Sequence, residues 1–180
     1  MGEIFKNTHD VVSSVWEPPG NETIKINFDA YLNQNTKQSV SGIIARNKDG
    51  LVMAAYTFPW VNVLDSTTAE ARACLQAITM AEEMGFRDIC VEGDALTVIR
   101  KLNTAEEYRL FVSRLIQEIE GRRSAFRSVR FKYVPRGANK AAHEMAKEGG
   151  NYDFPRYWIE EAPATVERAV IQERGGDEGR

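Results

Sequence analysis

Ile24-Lys25-Ile26-Asn27-Phe28-Asp29-Ala30-Tyr31 reads as a central strand carrying one acid that folding does not require. Ile24, Ile26, Phe28 and Ala30 alternate with Lys25, Asn27, Asp29 and Tyr31, and a period of two sends the two sets to opposite faces of a sheet. The apolar set packs; the other displays Asp29. Aspartate is a poor strand residue because its short side chain competes for the backbone. Asp29 is therefore either a strand-end or turn acid, or one member of a cluster completed by carboxylates from elsewhere in the chain.

Upstream, residues 1–22 show weak periodicity and end in Trp16-Glu17-Pro18-Pro19-Gly20, where two prolines exclude regular helix. Residues 1–21 are expected to form an extended arm with Trp16 packed on the domain. Downstream, Asn33-Gln34-Asn35-Thr36 is a turn cluster and Val40 to Arg46 a second strand. Asn47-Lys48-Asp49-Gly50 closes a hairpin with Gly50 at positive φ, and Leu51 to Thr57 returns as a third strand, ended by Pro59-Trp60. Asp65 to Thr68 offer N-cap side chains to a helix whose buried stripe is Ala71, Cys74, Leu75, Ile78 and Ala81, stopped by Gly85. Glu70 falls in its first turn.

Asp88 to Gly93 is a fourth strand, expected to run parallel because it follows a crossover helix. Asp94 stands at its carboxyl end, before a helix from Ala95 to Leu102. A further amphipathic helix covers Leu110 to Ile119, and Val129 to Val134 is a fifth strand. Arg136-Gly137-Ala138 is a tight turn, and Asn139 caps a last helix ending at Gly149-Gly150. The expected class is α/β: a five-stranded mixed sheet, three antiparallel strands then two parallel, flanked by helices, over residues 22–150. Residues 151–180 are expected to be a C-terminal tail, partly disordered and frayed from Glu173.

A chain of 180 residues, 43% hydrophobic and 27% charged, is long enough for one real core and too short for two comfortable domains. Nothing near the N-terminus reads as a signal peptide, and no apolar run reaches the roughly 18 residues of a membrane span. The expectation is a monomer without membrane attachment, inside the cell in nucleus or cytoplasm. Cys74 and Cys90 lie in apolar patterns without the paired spacing of a zinc site and read as buried free thiols. The formal charge is −3, but its distribution is uneven. Arg100 to Lys147 holds twelve basic residues against five acidic ones, a net of +7 that leaves −10 for the remainder. That asymmetry fits either a basic binding face, with Arg122 and Arg123 on it, or a solvated pair of charged helices.

In this topology Asp29, Glu70 and Asp94 can approach one point. Clustered carboxylates repel and raise each other's pKa unless a cation is present, and hard oxygen ligands of this kind suit Mg²⁺ or Mn²⁺. Such a site serves two-metal phosphodiester hydrolysis, with two ions roughly 3.5–4 Å apart.

Phe28-Asp29, Ser41-Gly42, Ala69-Glu70-Ala71, Glu92-Gly93-Asp94 and the run Asn139 to Ala146 resemble the ordered motifs of ribonuclease H domains over about residues 16–149. The branch they most resemble is the plant reverse-transcriptase-like, retroelement-derived one, whose members often begin with a Trp-x-Pro-Pro lead-in like Trp16 to Pro19. The resemblance implies a ribonuclease H-like fold and an endonuclease that cuts the RNA strand of an RNA–DNA hybrid with two Mg²⁺ or Mn²⁺ ions. By position, Asp29 would bridge both ions. Glu70 would bind one of them and approach a ribose 2′-OH, which only RNA carries, and Asp94 would complete that ion's shell. Asn33, Thr68, Arg136, Asn139 and Lys140, with Arg122 and Arg123, are the expected nucleic-acid contacts.

The sequence departs from the family at two places. Ala30 follows Asp29 where the family usually has Gly, and His143 falls at the family's fourth acid, beside the ion that holds the attacking water. A neutral imidazole ligates without charge and prefers softer ions than Mg²⁺. The short Arg136 to Ala138 turn also leaves no room for the histidine-bearing loop that many ribonucleases H carry. A second expectation therefore stands beside the enzyme: a domesticated domain that binds hybrid or structured nucleic acid without cutting it.

Overall fold

The alternation quoted above produces a strand, β1 (Ile24–Asn33), at the centre of a sheet. The structure is a computed structural model and describes residues 14–103 and 111–175. β2 (Gln38–Arg46) and β3 (Val52–Trp60) complete an antiparallel meander, with Gly50 in the second turn at a φ of 73°. β3 runs on through Pro59 to Trp60, three residues beyond its expected end.

Helix α1 (Ser66–Glu83) starts at Asp65, whose side chain accepts from the Thr68 backbone N–H at 2.7 Å, a cap contributing about 1 kcal/mol. Glu70 lies just past the first turn rather than in it. β4 (Asp88–Gly93) pairs parallel to β1, and after α2 (Leu96–Leu102) and α3 (Phe111–Gly121) β5 (Ser128–Tyr133) pairs parallel to β4. Leu110, placed in the α3 helix from the sequence, lies outside the described residues. A short 3₁₀ turn, Arg136–Ala138, leads into α4 (Lys140–Gly149).

Two elements correct the five-stranded expectation. Residues read as tail form β6 (Arg156–Ile159), antiparallel to β3, and α5 (Ala164–Gly175). The sheet is thus six-stranded and mixed, in the order β5-β4-β1-β2-β3-β6. Tyr157 of β6 stacks on Tyr56 of β3 at 3.9 Å between centroids. Residues 1–13 of the expected arm and 176–180 of the expected tail lie outside the described residues.

The sheet separates two apolar layers. Ile26, Phe28, Ile43 and Tyr56 pack against Ala71, Cys74 and Ile78 of α1 and on to α2 and α3. On the other face Ile44 and Ala55 meet Ala141, Ala142 and Met145 of α4 and Val166, Ala169 and Val170 of α5. Each large side chain fully buried here contributes about 1.5–3 kcal/mol. α4 lies unusually close to the sheet: a Cβ on Gly42 would stand 2.2 Å from the Ala146 backbone nitrogen and 2.6 Å from the Ala142 carbonyl oxygen. Only a residue without a side chain permits this approach, and Gly42 is the register partner of Asp29.

Candidate metal centre

The pairing of β1 with β4 ends at Asn27–Glu92, so from Phe28 onward β1 keeps a neighbour only on the β2 side. Continuing that register sets Asp94, the residue after β4, beside Asp29. Glu70 reaches the same opening from the α1 layer and His143 from the α4 layer. Ligand oxygens of Asp29, Glu70 and Asp94 all lie within 4.8 Å of one another. Asp29 is only 2% exposed.

Three carboxylates in such proximity make a strongly anionic cavity. Burial pushes the Glu70 carboxyl well above the usual carboxylate range, and Asp29 and Asp94 add to the shift. Asp94 is raised by burial and by Asp29, with Arg136 pulling the other way across 3.7 Å. Glu70 Oε2 is buried without a hydrogen-bond partner. An orphaned buried carboxylate oxygen costs about 1–3 kcal/mol or more, and a hard divalent cation is the partner its chemistry suits. The donor set is all oxygen from three carboxylates, which fits Mg²⁺ or Mn²⁺ better than a softer ion.

His143 joins this cluster. Its Nδ1 lies 2.9 Å from Asp29 Oδ2 and, as the Nδ1–H tautomer, donates to it. That bond orients the ring and leaves Nε2 as the acceptor nitrogen. His143 is there because α4 is held at its start: Asn139 Nδ2 donates to the Phe28 carbonyl at 2.9 Å, one residue from Asp29.

Asn139 therefore corrects two expectations. Its side chain makes no cap to α4, and being buried it faces the protein interior rather than nucleic acid. Its Oδ1 accepts from Asn27 Nδ2 at 3.1 Å, which also donates to Glu92 Oε2 at 3.2 Å. Asn27 Oδ1 in turn accepts from Trp16 Nε1 at 3.1 Å and an Arg46 guanidinium nitrogen at 3.3 Å. Lys25 Nζ closes the set on Glu92 Oε1 at 3.0 Å. Lys25, Asn27 and Asp29 share one face of β1, so the layer behind the acids is a buried, hydrogen-bonded polar network, with Arg46 Nε its unpartnered atom, and it fixes where Asp29 and α4 sit. Trp16 was expected to pack on the domain and is buried there, but no role in a polar network was expected of Asn27, Arg46 or Glu92. The signal was the buried-side alternation of Lys25 and Asn27, polar residues on a face that had to pack.

The other expected contacts are scattered. Arg136 and Lys140 are exposed beside His143. Thr68 is buried and spends its backbone N–H on the Asp65 cap. Asn33 lies four residues along β1 from Asp29, about 13 Å away, where its Oδ1 accepts from the Asn35 and Thr36 N–H groups and closes the turn. Arg122 pairs with Glu82 at 2.9 Å, twelve residues from Glu70 on α1 and so about 18 Å along the helix. Arg123 is engaged by Glu120 and lies over the Phe131 ring. The structure thus gathers Asp29, Glu70, Asp94, His143, Arg136 and Lys140, and leaves Arg122 and Arg123 in separate ion pairs.

A family model described as reverse transcriptase-like matches residues 27–149. No curated protein matches the chain. Among solved structures, RNase H1 from the halophilic archaeon Halobacterium salinarum superposes with a TM-score of 0.67 at 23% identity, covering 72% of this chain and 98% of its own. The N-terminal RNase H domain of a Mycobacterium tuberculosis protein gives 0.65 at 19% identity, covering 72% and 94%. LC11-RNase H1, solved in complex with an RNA/DNA hybrid, gives 0.63 at 16% identity over 69% and 94%.

Proposed function

Since the chain belongs to the reverse transcriptase-like family and carries the RNase H-like fold, we propose that it is a divalent-metal-dependent endonuclease hydrolysing the RNA strand of RNA–DNA hybrids. The observation that carries this reading is the convergence of Asp29, Glu70 and Asp94 from a strand, a helix and a strand end, with a Glu70 oxygen left unpartnered. The solved complex of LC11-RNase H1 with an RNA/DNA hybrid supports it by analogy of fold.

Asp29, Glu70 and Asp94 would hold the cations, with Asp29 central because both other acids feel its charge most among their neighbours. The chemistry that two such cations would supply there is activation of the attacking water and stabilisation of charge on the leaving oxygen. The protein's own residues do the rest. Asp29 is immobilised by His143 and by the polar layer beneath it, so its oxygens are presented in one orientation. Glu70 would accept from a ribose 2′-OH and so select RNA over DNA. Arg136, beside Asp94, supplies positive charge at the rim where a phosphate arrives.

One observation favours the second reading, a domain that binds without cutting. Where the resemblance implies a fourth acid, His143 has a ring nitrogen instead of a carboxylate oxygen, and it is already hydrogen-bonded to Asp29. Cleavage of a labelled RNA–DNA hybrid followed by gel electrophoresis, first in Mg²⁺ and then in Mn²⁺, decides between them. RNA-strand products in either metal, absent in chelator and absent with duplex DNA, are expected. Binding of the hybrid with no product in both metals would leave the binding module.

A further inference from the structure

A groove of about 340 Å³ opens between α4 and α5, directly beside the acids. Arg136, Lys140 and His143 line one side, and Thr165, Arg168 and Gln172 the other. The α5 residues fall on one face because they recur at helical spacing, while Val166 and Val170 point into the core. Three exposed cations thus face a common space, and among the described residues no ion pair engages Lys140 or Arg168. Arg136 is held only loosely, 3.7 Å from Asp94. Glu144, the acid of the lining, is drawn off by Lys147 at 3.5 Å.

Arg136 is countered only across 3.7 Å by Asp94 and Lys140 only through the field of Glu173, so positive charge is left over in the groove and suits an anionic occupant. A phosphodiester strand needs only evenly spaced negative charge and a path. The path exists: Arg136 touches Asp94 and His143 touches Asp29, so the groove is continuous with the carboxylate site. Its outer wall, α5, lies beyond residues 27–149, the segment that matches the family.

We infer that the α4–α5 groove holds the phosphate backbone of one nucleic-acid strand where that strand leaves the carboxylate site, with Arg168, Lys140 and Arg136 as its phosphate contacts. The inference rests on the nucleic-acid reading above and extends the binding track onto α5.

The test is the salt dependence of binding, measured by fluorescence anisotropy of a labelled RNA–DNA hybrid against the full chain, with Ca²⁺ replacing Mg²⁺ so that the strand is held. Each phosphate contact contributes about 0.7–0.9 to the log–log salt slope. Arg168→Gln is expected to flatten the slope by that amount, shrinking the affinity ratio between about 50 and 200 mM salt roughly threefold. Gln172→Glu, which adds an acid without removing a cation, is expected to weaken binding as well. Both positions are exposed, and circular dichroism checks that the fold is kept. Arg87→Gln is the control, being exposed just before β4, about 20 Å along the strand from Asp94. It should overlay the parent. A parent that binds hybrid while Arg168→Gln and Gln172→Glu both overlay it overturns the groove and leaves the nucleic-acid reading standing. Equal slope changes in Arg87→Gln and Arg168→Gln also overturn it, since the effect would then be one of net charge. A parent that binds no hybrid overturns both.

Discussion

Asp29→Asn should stabilise the protein in chelator and destabilise it relative to the parent in excess Mn²⁺. Ligand oxygens of Asp29, Glu70 and Asp94 lie within 4.8 Å of one another. At that distance and an effective dielectric constant near 20, each fully ionised pair repels by about 3.5 kcal/mol. The substitution removes two of the three pairs without changing volume, and the new amide oxygen still accepts from His143. Proton uptake at Glu70, whose carboxyl burial already pushes well up, relieves part of the repulsion in the parent, so the expected net gain is about 1–2 kcal/mol. For a chain of this length that is a rise in Tm of about 2–8 °C. The gain should depend on pH. Glu70 and Asp94 have folded pKa values above the ordinary carboxylate range. Their cost is therefore absent below pH of about 4, where folded and unfolded chains are both protonated, grows as pH rises from the unfolded values towards the raised folded ones, and is complete above those. Parent and variant should melt together in acid and separate at neutral pH. With Mn²⁺ at about a hundred times its Kd the parent gains about 2.7 kcal/mol and the variant should not, reversing their order. Differential scanning fluorimetry in chelator and in Mn²⁺ reads both. If Asp29→Asn melts well below the parent in chelator, Asp29 is structural; if it still gains stability from Mn²⁺, the metal centre is misplaced.

His143→Asp should raise the Mg²⁺-supported cleavage rate about tenfold, a barrier change of about 1.4 kcal/mol, because it restores an anionic oxygen, and the parent should do relatively better in Mn²⁺, which accepts imidazole more readily; single-turnover assays in each metal decide, and a slower variant would give His143 a role of its own as a proton carrier. Gly42→Ala should cost about 3 kcal/mol, at the upper end for overpacking, since its Cβ would meet the α4 backbone at 2.2 Å. Urea unfolding measures this, and a variant as stable as the parent would mean that α4 does not press on β2. Glu173→Ala should cost about 3–5 kcal/mol by leaving Arg46, 0% exposed, without its carboxylate at 3.3 Å. Chemical denaturation with an unchanged midpoint would refute that anchor.

What could be read from the sequence was what local pattern encodes. Alternation from Ile24 to Tyr31 and the Asp65 cap are short-range signals, and they placed Asp29 and Glu70 on their elements. β6 escaped because an edge strand of four residues, paired on one side and mostly exposed, has no buried face to impose alternation. α5 was legible and overlooked: Val166, Ala169, Val170 and Glu173 recur at i, i+3, i+4 and i+7. Its last member is charged, and a charge near a chain end reads as solvated. Asn139 looked like a cap because capping is local, whereas its real partners, Phe28 and Asn27, are more than a hundred residues away. Arg122 and Arg123 looked like a phosphate surface because charge counting does not register that Glu82 and Glu120 already neutralise them.

Arg46 is the feature with the widest reach. The Trp16 ring lies 3.9 Å from its guanidinium carbon and Glu173 pairs with it, so residues from both ends of the described chain meet on one buried side chain. The segment shared with the family, residues 27–149, contains the guanidinium but neither of these neighbours. Trimmed to that segment, the protein would keep Asp29, Glu70 and Asp94 and expose or strand a cation in its interior. The segment that matches the family and the segment that packs as one core are therefore of different length here, and the flanking pieces belong to the core rather than hang from it.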